Sequence, residues 1–131
     1  MTLYDLARRY VGIAEVAGQK DHPLILYWLS LCNAAWATHD EVPWCSGFLN
    51  GMVVEHNRIW ELSLQRSNDL RARSWLKVGR GIALAEMRSG YDVVVLKRGT
   101  GPQPGPDVID APGHVFLPDR YEPPYIYGVG G

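Results

Sequence analysis

The 131-residue chain has little cysteine, little phenylalanine, no long apolar run and no surplus of either charge. Its two cysteines, Cys32 and Cys45, cannot make a disulfide framework; they could form one bridge, from which a catalytic thiol would have to stay free. Thirteen Lys+Arg against 14 Asp+Glu leave a net charge of -1, which gives no electrostatic basis for binding nucleic acid or an anionic membrane surface. No apolar stretch approaches membrane-spanning length, so no membrane insertion is expected. Met1 to Val16 carries Asp5, Arg8, Arg9 and Glu15, and so lacks the apolar centre of a secretory signal. The expectation is a protein made in the cytoplasm without a signal peptide and carried outward, if it acts outside, by another component. Against two Phe stand five Trp and seven Tyr, amphipathic rings that suit a groove for a polar polymer and suit a core equally.

What is present fits one domain spanning residues 1–131, since 47% hydrophobic and 21% charged residues are ordinary for a globular chain with a real core. No internal repeat is visible. Thr2 can cap a first helix running to about Ala14, which Gly18 to Asp21 break. Pro23 can start a second helix, whose Leu24, Ile25, Tyr27, Trp28 and Leu31 are dense enough to imply extensive burial. After a loop from Asn33 to His39 comes a third helix, starting between Asp40 and Cys45 and ending near Glu55 to Asn57. Residues 58–70 carry no pattern, and Arg71 to Val78 reads as a short helix closed by Gly79 and Gly81. Asp92 to Lys97, Gly113 to Leu117 and Pro124 to Val129 read as strands, separated by a loop from Gly99 to Pro112 rich in proline and glycine. Helices first and antiparallel strands after make an α+β class.

The third helix carries the first chemical signal. Pro43 suits the first helical position, and Asp40 and Glu41 would face the positive end of the helix dipole. Phe48, Leu49, Met52 and Val53 follow Cys45 at one-face spacing, which puts the thiol at a helix N-terminus, the setting in which proteins favour the nucleophilic thiolate. The plain alternative is a small buried apolar residue. A thiol needs a base, and of His22, His39, His56 and His114 only His114 falls within a predicted strand, directly after a glycine that lets another backbone come close. The expectation is that Cys45 and His114 meet across a cleft, with the loop from Gly99 to Pro112 as a loosely packed flap at its rim. His39 would stand on the cleft rim, and Trp44 would either stack on a sugar or pack as an ordinary aromatic.

Several segments together resemble the small papain-like peptidoglycan hydrolases of phages and prophages, in the broad CHAP and NlpC-type superfamily. They are Ala14-Glu15 with Gly18, His22-Pro23-Leu24-Ile25, Asp40 through Phe48, Ala72-Arg73-Ser74-Trp75-Leu76 with Gly79, Asp92 through Leu96 with Arg98-Gly99, and Gly113-His114-Val115. The resemblance implies a papain-like core, N-terminal helices packed on a small antiparallel sheet, with Cys45 as nucleophile and His114 as general base attacking an amide or peptide bond of bacterial peptidoglycan. Asp40, Trp44 and His39 would line the substrate cleft, and no cofactor or metal is implied. The chain departs from the family at Phe116, where glycine is usual. It also stops at Gly131, before the polar residue that would orient the histidine; Asp119 and Glu122 are the nearest polar candidates.

Cys32, His39 and Cys45 have soft-ligand character, but their spacing lacks the short paired pattern of a structural zinc site. His56 reads as a helix-end residue facing the last carbonyls, and Gly128 to Gly131 lack the strand–glycine–helix context of a nucleotide site. The non-enzymatic alternative is a structural or interaction component of a phage particle, at the tail tip, partnered by other particle proteins and carrying a degenerate hydrolase fold.

Overall fold

The computed structural model describes residues 1–14, 22–33 and 43–131. Three α-helices, α1 (Leu3–Arg8), α2 (Pro23–Ser30) and α3 (Cys45–Trp60), precede 3-10 turns at Ala72–Lys77 and Leu84–Glu86 and three strands, β1 (Val94–Lys97), β2 (Gly113–Glu122) and β3 (Tyr125–Val129). The sheet is antiparallel throughout, in the order β1-β2-β3. This is the mixed α+β arrangement expected from the order of elements.

α3 is the helix that the rest packs against. Its Cys45, Phe48, Leu49, Met52 and Val53 are buried in one cluster with Val115 and Leu117 of β2, Ile25, Trp28 and Leu29 of α2, and Leu3, Leu6 and Ala7 of α1. Two glycines let α2 come close. A Cβ at Gly51 would run into the Trp28 ring, and one at Gly47 would stand 3.4 Å from the Leu29 side chain. Trp28 thereby becomes a hub, stacked 5.9 Å from Trp44 and edge-on to Phe48 and Tyr10 at 5.0 and 5.5 Å. Burying a helix face of this size is what holds a 16-residue helix whose first turn has no side-chain cap.

Several boundaries move from their expected places. α1 keeps its Thr2 cap, with Asp5 completing a capping box, but ends at Arg8 rather than near Ala14. Gly12 takes a φ of +105°, which breaks the helical path, while Tyr10 and Ile13 still pack against the core. α3 begins at Cys45 with Trp44 as its N-cap, so Pro43 stands one residue before the cap instead of at the first helical position. It runs on to Trp60, where Glu61 turns left-handed at φ 52°. The segment 72–77 is 3-10 rather than α-helical. β2 extends well past Leu117 because Pro118, which cannot donate to the ladder, sits at a register shift that lets pairing resume at Arg120 with Tyr127.

Candidate functional site

Cys45 is the first residue of α3, and the first backbone bond of the helix runs from the Phe48 N–H to the Trp44 carbonyl at 2.8 Å. The N–H groups of Cys45, Ser46 and Gly47 therefore lie outside the helical ladder, at the positive end of the helix dipole. His114 lies on β2, opposite Leu96 of β1. Gly113 before it does what a glycine there was expected to do: a Cβ would stand 3.0 Å from the Leu96 carbonyl oxygen and 3.1 Å from Arg73 Cγ, so β1 and Arg73 both need the space. Alternation along β2 sends Val115 and Leu117 into the core and His114 and Phe116 to the other face. The two rings stack there at 5.8 Å and 22°.

The His114 ring on one side, and Trp44 and Phe48, which flank Cys45, on the other, approach the same stretch of chain. That stretch is the consecutive residues Gly130 and Gly131: a Cβ on Gly130 would lie 3.5 Å from His114 Nε2, and one on Gly131 would lie 2.5 Å from Trp44 Cε3 and 2.9 Å from Phe48 Cβ. No hydrogen bond links the Cys45 thiol to His114. Cys45 is only 6% exposed and Trp44 8%, so both are covered, and Trp44 serves as a packing aromatic beside the thiol. Asp40 and His39 lie outside the described residues. His114 is half-buried, and burial, followed by the charge of Arg98, holds its imidazole below the ordinary value of 6.5. Both cysteines are free thiols. Cys32 is buried against α2, its Sγ 4.0 Å from the Trp28 carbonyl, and burial pushes its thiol up to about 11 against a weaker pull from Arg66.

Behind Cys45 lies a polar network that sequence patterning passed over. Ser46 Oγ donates to the Asp69 carbonyl at 2.5 Å and accepts from Trp75 Nε1 at 2.9 Å. One turn on, Asn50 Nδ2 donates to the Ser46 carbonyl, while its Oδ1 accepts from the Asn68 N–H at 2.9 Å and Arg66 Nη1 at 3.3 Å. Both side chains are fully buried, and together they strap residues 66–69 across the first two turns of α3. The available signal was the pair of polar residues four apart inside an apolar stripe. Arg73, one of the two arginines at the start of the 71–78 segment, anchors a loop. It is 2% exposed, and its guanidinium donates to the carbonyls of Pro112, Pro104 and Gly105 at 3.2, 3.0 and 2.7 Å. The proline-rich loop is largely exposed, as expected of a flap, but moored at these carbonyls and, at 3.4 Å, at that of Val108. His56 also departs from its expected role: its Nε2 lies 3.2 Å from both the Met1 carbonyl and the Tyr91 hydroxyl, away from the end of α3.

Two concavities lie elsewhere on the surface. One of about 590 Å³ is lined by residues of the 63–71 segment with Ser74, Lys77, Val78 and Ile109, and one of about 1230 Å³ lies under residues 76–88 beside Val93 to Val95. Neither is lined by Cys45 or His114. Among the described residues no three His, Cys, Asp or Glu side chains are grouped to hold a metal ion, and no helix is long and apolar enough to cross a membrane. Comparison of the chain with protein-family models, with curated proteins and with solved structures finds no match.

Proposed function

We propose that the chain is a thiol hydrolase with a papain-like core that cleaves an amide or peptide bond of bacterial peptidoglycan. The observation that carries this is the start of α3: a cysteine at the first position of a long helix, with three backbone N–H groups outside the ladder, packed against the strand that bears His114. Cys45 Sγ attacks the carbonyl carbon, His114 takes the thiol proton, and the Cys45 N–H holds the developing oxyanion at the helix N-terminus. His114 then protonates the leaving amine, and water releases the acyl group. A catalytic pair without substrate is often longer than hydrogen-bonding distance and tightens in the complex, which is how the unbonded thiol and imidazole fit this mechanism. Delivery to the wall, by another component or as part of a virion, belongs to the same proposal.

The test is muropeptide release from purified sacculi. The protein is expected to release fragments and Cys45→Ala none, with unfolding unchanged to within about 1 kcal/mol because the lost side chain is small. Release by Cys45→Ala at the parent rate overturns the thiol mechanism. One observation favours a second reading: Cys45 is buried and lines neither concavity. A covered thiol suits a structural or interaction component of a phage particle with a degenerate hydrolase fold. Under that reading the parent releases nothing from any wall type, and Cys45 resists iodoacetamide near neutral pH.

A further inference from the structure

A histidine acting as base needs its ring fixed by a third group, ordinarily a polar one bonded to the imidazole. Among the described residues no hydrogen bond reaches either ring nitrogen of His114. Of the carboxylates on either side of it in the chain, Asp110 is paired with Arg71, and Asp119 and Glu122 are both engaged by Arg120, at 2.8 and 2.9 Å. What the ring has instead is another ring and two glycines. Phe116 is 7% exposed and lies stacked beside the imidazole. β3 and the residue after it leave room for both rings. A Cβ at Gly128 would come within 2.5 Å of the Phe116 ring, and one at Gly130 would stand 2.8 Å from Phe116 Cβ and 3.5 Å from His114 Nε2.

We propose that Phe116, seated on Gly128 and Gly130, is the positioning residue of His114, an apolar orienter in place of a hydrogen-bonding one. The inference rests on His114 being the base. Stacking limits χ1 and χ2 by shape, so the ring keeps one presentation without a polar tether. Burial also keeps water from the imidazole, which disfavours the imidazolium, and no carboxylate offsets this. Of the surrounding charges, Arg98 after β1 acts on the ring, adding to the effect of burial. Lys97 lies in register with Gly113, and Asp119, Arg120 and Glu122 pair among themselves. α3 offers no acidic residue in its first turn.

The experiment is NMR of the imidazole resonances in the full chain, with wall-release kinetics in parallel. In the parent, ring-to-ring NOEs between His114 and Phe116 are expected, with a titration midpoint below 6.5. Phe116→Leu keeps an apolar side chain but removes the flat ring, so water reaches the imidazole face that Phe116 covered. It is expected to raise the midpoint toward 6.5, to average the ring orientation, and to lower kcat on the order of tenfold with little change in KM. Phe116→Tyr is expected to restore all three. A role confined to packing would lower the melting temperature without moving the His114 midpoint. The proposal falls if folded Phe116→Leu keeps the parent midpoint and ring orientation. It falls equally if the parent shows no NOE between the rings, a measurement that needs no variant to fold. A parent that releases no muropeptides while Phe116→Leu moves the midpoint overturns the hydrolase reading and upholds the positioning; wall release with an unmoved midpoint does the reverse.

Discussion

Asn50 holds more of the structure than its size suggests. It is fully buried, and its amide joins α3 to Arg66 and to the Asn68 backbone. Asn50→Leu has about the right volume but removes the partner of the Asn68 N–H and one of two acceptors of Arg66 Nη1, which keeps the Leu31 carbonyl; an unpaired polar group costs about 1–3 kcal/mol. Added leucine burial offsets part of this, so a net loss of about 1–2 kcal/mol is expected in urea unfolding; no measurable loss would mean water replaces the amide. The two cysteines should also separate by chemistry. Cys32, buried and pushed up to about 11, is a neutral thiol at pH 7.5. Native protein treated with iodoacetamide is expected to gain one adduct, at Cys45, and denatured protein two, read by intact mass and peptide mapping. Modification of Cys32 first would contradict the assignment.

Between helices, Gly51 sets two opposed effects against each other. Alanine is the better helix former by about 1 kcal/mol, but its Cβ would enter the Trp28 ring. Overpacking at such a contact costs about 1–3 kcal/mol or more, so Gly51→Ala is expected to destabilise, checked by thermal melting. The loop beside the histidine strand depends on Arg73 in a comparable way. Arg73→Met keeps the buried stem and frees the carbonyls of Pro104, Gly105 and Pro112, and faster limited proteolysis within residues 99–112 is the expected result, with α3 still intact. At this scale the sequence was informative wherever one face meets one core. The apolar stripe behind Cys45 was legible, and Phe48, Leu49, Met52 and Val53 are all buried. Which loop Arg73 moors was not legible, because its partners are backbone carbonyls more than 30 residues away, and no side-chain pattern records a carbonyl.

For the molecule as a whole, pH is the simplest probe. His114 binds its proton less readily folded than unfolded, so stability is present above about 6.5 and declines as pH falls below it toward the folded value. Asp69, held below its ordinary 3.8 chiefly by its hydrogen bond with Arg71, contributes above that value and is lost further into acid. Melting temperature against pH is expected to fall in these two windows, and His114→Gln to remove only the first. The α+β class, the helix at Cys45 and the strand at His114 were readable because each leaves a periodic or propensity signature. How close the thiol and imidazole come was not, since 69 residues separate them and their approach is set by how the sheet meets α3.

Among the described residues, a three-stranded sheet in the order β1-β2-β3 leaves two strands with an unpaired side, and this sets how the protein behaves at high concentration. β1 is four residues long and ends in Lys97, a short strand closed by a charge, which blunts recruitment of another chain. Its first residues, with Val93 before them, run Val93-Val94-Val95-Leu96, a run of high β-propensity whose lysine acts as a gatekeeper. Lys97→Val should leave the melting temperature near that of the parent and yet shorten the time to turbidity in stirred, concentrated samples. The same exchange at Lys77, at the end of a 3-10 turn, should leave that time unchanged. In this chain colloidal stability would then depend on one lysine that contributes little to the fold.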